Sequence, residues 1–355
     1  MMRIEEEKHQ QIVRKVRHEI VTGEYPPGSR LPTSRELARR FRASSVTINQ
    51  VLAVLSRDGF IRTRGRHGTF VTAAPPHLTV YGMVCFHGAD VNNNFFRALN
   101  REAERYRSRE SRRISVYLGL GWQKELETYN RLVSDVENER LAGLLFTSPP
   151  FSWIGTPIVE DRGLPRVCIM DDVPVFPELP KLANDNHRLL ERAADYFVER
   201  NRRRIAVVAT PFFRQAWSNV FIELLAQRGL TMHPHWIQLV HADAPECAVS
   251  QVQLLLHTGQ QERPDGLLVF DDNLLAHVAE GVQAAGVRVP DEVDVLSHAN
   301  FPLVVPTPFP VTLLGYDIRE IVGRGFQIID TIRRGEAPPM VTRIQPHFGH
   351  EVKPE

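Results

Sequence analysis

Cysteine is scarce in this chain of 355 residues: Cys85, Cys168 and Cys247 lie far apart and form no CxxC pair. That spacing argues against a disulfide framework and against a cysteine-based zinc site. No apolar run approaches the roughly 18 residues that a membrane-spanning helix requires. Met1 to Gln10 is charged and has no apolar stretch of the kind a secretory signal carries, so the expected compartment is the cytoplasm. GxSxG, HExxH and GxxxxGK are all missing, which removes the common signatures of acyl-transfer, zinc-hydrolase and phosphate-loop chemistry.

A net charge of one sign is also lacking, since 43 Lys+Arg face 42 Asp+Glu. The balance conceals an asymmetry. Residues 1–74 hold 14 Lys/Arg and 7 Asp/Glu, and the remaining 29 basic and 35 acidic residues leave the rest of the chain at −6. A small basic module joined to a larger acidic one suits a nucleic-acid reader attached to a second function. The length predicts two or three domains at about 150 residues each.

The N-terminal segment reads as three helices and a hairpin. Ile12, Val13, Val16 and Ile20 recur at helical spacing, and Gly23 with Pro26-Pro27-Gly28 stops that helix. Thr33 opens a Thr-x-x-Glu capping box with Glu36, starting a short helix through Leu37 to Phe41. Ser44 caps a third helix with an apolar stripe of Ile48, Val51, Leu52 and Leu55. Phe60 to Arg64 and Thr69 to Val71 read as two strands around Gly65-Arg66-His67-Gly68. Together these elements predict a winged helix-turn-helix over residues 1–74.

Thr72 to Thr79, with Pro75-Pro76, reads as a short stiff connection, the linker proper being 75–79. Beyond it, over 80–355, strand-length apolar runs alternate with amphipathic segments of helix length. The runs are Val80–Phe86, Ile114–Leu118, Leu141–Thr147, Arg166–Met170, Ile205–Ala209, Ile237–Val240, Gly266–Phe270 and Val293–Ser297. Helices are expected at Asn94–Arg109, Lys124–Asn138, His187–Arg200, Gln215–Arg228, Glu246–Thr258 and Asn273–Ala285. This βαβ alternation predicts an α/β domain of two doubly wound lobes with parallel sheets.

Pro27-Gly28-Ser29-Arg30-Leu31-Pro32-Thr33-Ser34-Arg35-Glu36-Leu37-Ala38 resembles the signature of the GntR family of bacterial repressors. Ser44 to Leu52, Asp58-Gly59-Phe60-Ile61 and Gly68-Thr69-Phe70-Val71 continue the pattern in register. The resemblance implies that the third helix enters the major groove of operator DNA. With the apolar stripe facing the core, Ser45, Val46, Asn49 and Gln50 remain on its outer face, and Asn or Gln can bond adenine N6/N7. Arg35 matches a family position that reaches DNA. Ser44 and Thr47, at the helix N-terminus, suit phosphate oxygens. Arg64, Arg66 and His67 lie on the wing. The family commonly has arginines where this chain has Ser45 and Asn49, and a wing glycine where it has Arg66, so its operator preferences do not transfer.

Asn184-Asp185-Asn186, Asn201 to Val208, Pro264 to Asp272 and Ala285 to Val293 run in an order that resembles the effector domain of LacI-type repressors, which has the periplasmic sugar-binding fold. The resemblance implies a small-molecule effector, a sugar or sugar derivative, held by loops at the carboxyl ends of strands. Asp272 falls at the family's ligand-binding aspartate, and Asp185, Trp217, Asp271 and Asn300 complete the candidate effector set. Trp217 stands where the family usually has an arginine, and Ser297-His298-Ala299-Asn300 replaces the usual Gly-aromatic-Asp-Asp. A helix N-cap is the plain reading of one aspartate in the Asp271-Asp272 pair.

The resulting expectation is a ligand-responsive repressor binding a two-fold operator as a homodimer, with no catalytic residue, metal or cofactor. The alternative is a winged helix fused to an aminotransferase-like domain using pyridoxal phosphate. That chemistry needs a Schiff-base lysine, and beyond the linker only Lys124, Lys181 and Lys353 are present, none in a matching context. His233-Pro234-His235 reads as a turn rather than a metal pair, and Arg202-Arg203-Arg204 as a complement to a helix dipole.

Overall fold

A computed structural model of the chain describes residues 2–88, 93–106, 112–121, 126–160, 163–170 and 176–354. It opens with α1 (Met2–Val21), α2 (Ser34–Phe41) and α3 (Ser45–Arg57), then β1 (Ile61–Thr63) and β2 (Thr69–Val71). Ile12, Val13, Val16 and Ile20 of α1 pack with Leu37, Ile48, Val51, Leu55 and Phe60 in one core. Truncating one large member, such as Leu55→Ala, costs about 2–5 kcal/mol. The α2 capping box forms: Thr33 N donates to Glu36 Oε2 (2.7 Å) and Glu36 N donates to Thr33 Oγ1 (3.3 Å). The bonds from Thr33 hold the Glu36 carboxyl below its usual range. The wing pairs antiparallel, Ile61 opposite Val71 and Thr63 opposite Thr69, across a 3-10 turn at Gly65–His67. Gly68 leaves that turn at φ 103°, where a Cβ would lie 2.9 Å from Arg30 Nε.

The connection to the α/β region is packed against its neighbours. Pro76–Thr79 forms a turn of helix, α4, and Pro75, Pro76, His77 and Thr79 are buried. The His77 imidazole stacks on Phe60 (centroids 5.8 Å apart, 5° between planes), while Arg333 Nη1 donates to the Leu78 carbonyl (3.2 Å). Apolar rings and prolines so close to a core edge gain more from burial than from hydration.

Beyond it the elements are β3 (Val80–Val84), α5 (Asn94–Tyr106), β4 (Arg113–Tyr117), α6 (Leu126–Glu137), β5 (Gly143–Phe146), α7 (Pro157–Glu160), β6 (Arg166–Ile169), β7 (Lys181–Asn184) and α8 (Asn186–Glu199). Then come β8 (Ile205–Ala209), α9 (Pro211–Ala216), α10 (Ser218–Gln227), β9 (Ile237–Leu239), α11 (Cys247–Leu255), β10 (Gly266–Val269) and α12 (Leu275–Ala284). The last are β11 (Asp294–Phe301), β12 (Thr312–Asp317), α13 (Ile318–Arg333), β13 (Val341–Ile344) and β14 (His347–Phe348). Residues 107–109 and 124–125 of the expected helices lie outside the described residues.

One sheet has the order β13-β7-β6-β5-β3-β4 and the other β14-β12-β11-β10-β8-β9. Neighbours β4-β3-β5-β6 and β9-β8-β10-β11-β12 are parallel, and β14 joins antiparallel to β12. Crossover helices impose that arrangement. The chain packs as two compact units, residues 1–90, 103–181 and 325–340 in one, and 91–102, 182–324 and 341–355 in the other. Val84, Phe146, Trp153 and Cys168 lie in a core of the first, and Val208, Val252, Val269 and Val295 in a core of the second.

The expected elements appear, with differences that have causes. The helix expected over Gln215–Arg228 is broken at Trp217, whose backbone (φ −129°, ψ −17°) separates α9 from α10. Strands β7, β12, β13 and β14 are additional to the apolar runs. Gly315 of β12 lies so near β11 that a Cβ there would sit 1.8 Å from the Ala299 carbonyl oxygen. Arg202 and Arg204 do not serve a helix end. Arg202 Nη1 donates to the Asp291 carbonyl (3.2 Å) and Arg204 Nη2 pairs with Asp265 Oδ2 (3.4 Å). His233 caps a 3-10 turn that contains His235, their rings are stacked 5.4 Å apart, and His233 Nε2 lies 3.3 Å from Glu262.

Candidate DNA-reading face and effector site

The candidate reading face is set by what α3 buries. Ile48, Val51 and Leu55 are fully buried, leaving Ser44, Ser45, Asn49 and Gln50 exposed and Thr47 half-buried. Ser44 is the N-cap: its Oγ accepts from Thr47 N (3.0 Å) and lies 2.8 Å from Thr47 Oγ1. The Ser44 and Thr47 hydroxyls thus bond each other at the helix N-terminus, where backbone N–H groups face outward and favour an anion. Arg35 is exposed in the first turn of α2. On the wing, the Arg64 guanidinium lies over the Phe70 ring at 5.2 Å, which presents it with few rotamers left to lose. Arg66 and His67 sit in the 3-10 turn at the wing tip, both exposed. The arrangement offers amides for base edges and guanidiniums for phosphates.

The far end of α3 is anchored. Asp58, its C-cap, accepts from Arg17 Nη2 (2.5 Å), and Arg17 Nη1 donates to Asn138 Oδ1 (2.5 Å) just beyond α6. Arg140 Nη1 lies 3.6 Å from Asp58 Oδ1. Burial pulls the Arg17 pKa below its ordinary value, and the neighbouring Asp58 opposes that shift.

In the second unit, Asp272 and Asn300 come together at the ends of β10 and β11. Asp272 is 3% exposed and Asn300 4%. Asn300 N donates to Asp272 Oδ2 (3.2 Å), and Asn300 Nδ2 lies 3.1 and 3.0 Å from the two carboxylate oxygens. His298 Nδ1 stands 3.9 Å from Asp272 Oδ1, too far for a hydrogen bond, and is shielded from solvent without an acceptor or donor. Asp271 plays a different part, capping the 3-10 turn at Asp272–Leu274: its Oδ1 accepts from Asn273 N (3.0 Å) and Asn273 Nδ2 (2.7 Å). Asp185 caps α8 through Arg188 N (3.0 Å), and its other oxygen accepts from Gln345 Nε2 (3.1 Å). Its bonds therefore run to α8 and Gln345, not to Asp272.

Trp217 is half-buried at the α9–α10 break, and its indole N–H is out of solvent with no acceptor. One turn earlier, Phe213 packs on Phe270 (4.9 Å between centroids), the residue that precedes Asp271. Helix α9, which ends at Trp217, is thereby packed against the strand end that leads to the aspartates. Asn94 belongs to this cluster as well. Its Nδ2 donates to the Asp272 carbonyl (3.1 Å) and its N to Asn273 Oδ1 (2.7 Å). Nothing local in the sequence marks Asn94, which is 178 residues from Asp272. The cluster around Asp272 combines a buried carboxylate, several amides and an imidazole, a set suited to hydroxyl-rich neutral molecules.

Residues 8–71 match the family described as bacterial regulatory proteins, gntR family, and residues 194–348 match the periplasmic binding protein-like domain. An arabinose metabolism transcriptional repressor of Geobacillus stearothermophilus is 22% identical over 328 residues, covering 88% of each chain. The repressor PurR of Aliivibrio fischeri (strain MJ11) is 23% identical over 261 residues, 72% of this chain and 75% of that one. A LacI-type regulator structure from Bacillus cereus subsp. cytotoxis superposes with a TM-score of 0.58 at 17% identity, over 76% of this chain and 96% of that one. A LacI-family regulator of Lactobacillus casei with bound glucose gives 0.53 at 18% identity, over 76% and 98%.

Proposed function

We propose that this chain, a gntR-type winged helix joined to a periplasmic-binding-protein-like domain, is a ligand-responsive transcriptional repressor. The observation that carries the reading is the exposed outer face of α3, with Asn49 and Gln50 free to meet bases beside Arg35 and the wing arginines. A relative aligned over 88% of both chains and named as a transcriptional repressor supports it. Residues 1–74 are the reader, 75–79 the connection and 80–355 the sensor. The reader works as one of a pair: a single winged helix makes few contacts, so two half-sites across a two-fold axis are needed for useful affinity. The chain acts in the cytoplasm and is not an enzyme.

The effector is a sugar or sugar derivative. Asp272 supplies a charge-assisted acceptor for a hydroxyl, Asn300 and Asn94 hold that carboxylate and its loop in place, and Trp217 offers an apolar face with an N–H at its edge. Effector and operator affinities are reciprocally linked, typically by 1–3 kcal/mol.

The test has two stages. DNA is selected on the purified protein from a random pool. The enriched operator is then retarded in gels with and without hits from a thermal-shift screen of sugars, polyols and nucleosides. Enrichment of a two-fold sequence, with a hit that changes its affinity about 5- to 150-fold, is the expected result. Failure to enrich any sequence overturns the reading.

A further inference from the structure

Val46, Asn49 and Gln50 fall at i, i+3 and i+4 of α3 and so share one stripe of the helix surface. All three are exposed, Val46 at 67%, and the next position on the stripe, Ala53, is exposed too. The first two turns of the stripe hold no lysine or arginine, the residues that read guanine O6 and N7; Arg57 follows only three turns on, as the last residue of α3. Single exposed apolar residues are common on protein surfaces. Helix preference does not account for this one, because a β-branched valine loses rotamer freedom in a helix and ranks below alanine, lysine or glutamate.

The base-pair edge supplies the reason. In the major groove an A·T pair presents the adenine N6/N7 donor–acceptor pair, which a side-chain amide matches, beside the apolar 5-methyl of thymine. An amide pair flanking an apolar side chain is complementary to that edge. We propose that this stripe reads A·T pairs, and that Val46 determines specificity by packing on a thymine 5-methyl group in each half-site. The proposal rests on the operator-binding reading above and names the base chemistry that α3 selects. The guanidiniums of Arg35 and the wing lie off this stripe, on α2 and the hairpin, so phosphate contact and base reading fall to different elements.

The experiment uses the full-length protein and DNA enriched on it by selection. Each thymine of a half-site is replaced in turn by uracil, which removes only the methyl group, and binding is measured for the parent and for Val46→Ala. One or two replacements should weaken the parent roughly three- to tenfold, as burial of a methyl group predicts. Val46→Ala should bind the unmodified operator about as weakly and lose nothing further at those positions. Val46 is exposed, so the variant keeps its core, which circular dichroism checks. If the selected operator is bound by the parent equally with thymine or uracil at every position, the Val46 assignment is overturned and operator reading stands. The same holds if the variant keeps the parent's uracil sensitivity. If no DNA is enriched, both readings fall.

Discussion

The Arg17 guanidinium and the Asp58 carboxylate form an ion pair at 2.5 Å with side chains only 1% and 6% exposed, and this pair closes the C-terminal end of α3. Arg17 reaches Asn138 as well, so the same side chain ties α1, α3 and the segment after α6. Two charges taken out of water gain little over an apolar pair, but removing one partner leaves the other uncompensated. Asp58→Ala should therefore destabilise the protein by about 3–5 kcal/mol in urea unfolding, whereas Arg17→Met combined with Asp58→Leu should recover most of the loss. A single substitution costing under about 1 kcal/mol would show that the pair is open to solvent in solution.

His77 provides a pH dependence with a definite sign. Burial holds its pKa down at about 4, with the Arg333 charge acting in the same direction, and its Nδ1 has no partner. The folded state keeps the ring neutral while the unfolded chain, with an ordinary histidine pKa of about 6.5, takes up a proton. Stability should be constant from this source above pH about 6.5, fall as the pH drops through the window from 6.5 to 4, and level off below it. His77→Phe keeps the stack on Phe60 and should flatten that part of the pH profile in thermal melts. An unchanged profile would move the dependence elsewhere.

The groups proposed to meet DNA should separate into two classes. Arg35→Ala should weaken binding to the selected operator, and Asn49→Ala should chiefly relax base preference, by about 1–3 kcal/mol at one position. A dimer making about 6–10 phosphate contacts should lose on the order of 10³–10⁵ in affinity between 50 and 200 mM salt. Retardation of operator by both variants at the parent's concentrations, or a flat salt response, would contradict the assigned face.

For the effector cluster, Asp272→Asn preserves the shape and removes the charge that faces Asn300. Its titration calorimetry against a screened hit should show affinity lost by tenfold or more, on the scale of about 1.5–3 kcal/mol for a charged hydrogen bond. Operator affinity without the hit should stay at the parent's value. Trp217→Ala should change the ranking of ligands more than it changes DNA binding. Parental ligand affinity in Asp272→Asn would remove that carboxylate from the site.

Local chemistry determines much of this protein without reference to any tertiary contact. The Thr33–Glu36 box and the Ser44 cap fix where α2 and α3 begin, because each side chain satisfies backbone groups only a turn away. The 3.6-residue stripe of Ile48, Val51 and Leu55 fixes which face of α3 turns inward and so which residues look outward. Continuous apolar runs marked the central strands, since a strand buried on both faces has no polar alternation to keep. Edge strands such as β13 and β14 have no such run, and their identity comes from a neighbour to pair with. Only the folded chain brings Asn94 to Asp272 across 178 residues, and Arg17 to Asn138 across 121. It also divides the two adjacent aspartates, giving Asp271 to a backbone cap and Asp272 to Asn300. Sequence spacing carries information only as far as a side chain can reach along its own element. Where a carboxylate finds its partner on another strand, the packing of the sheet decides which one it meets.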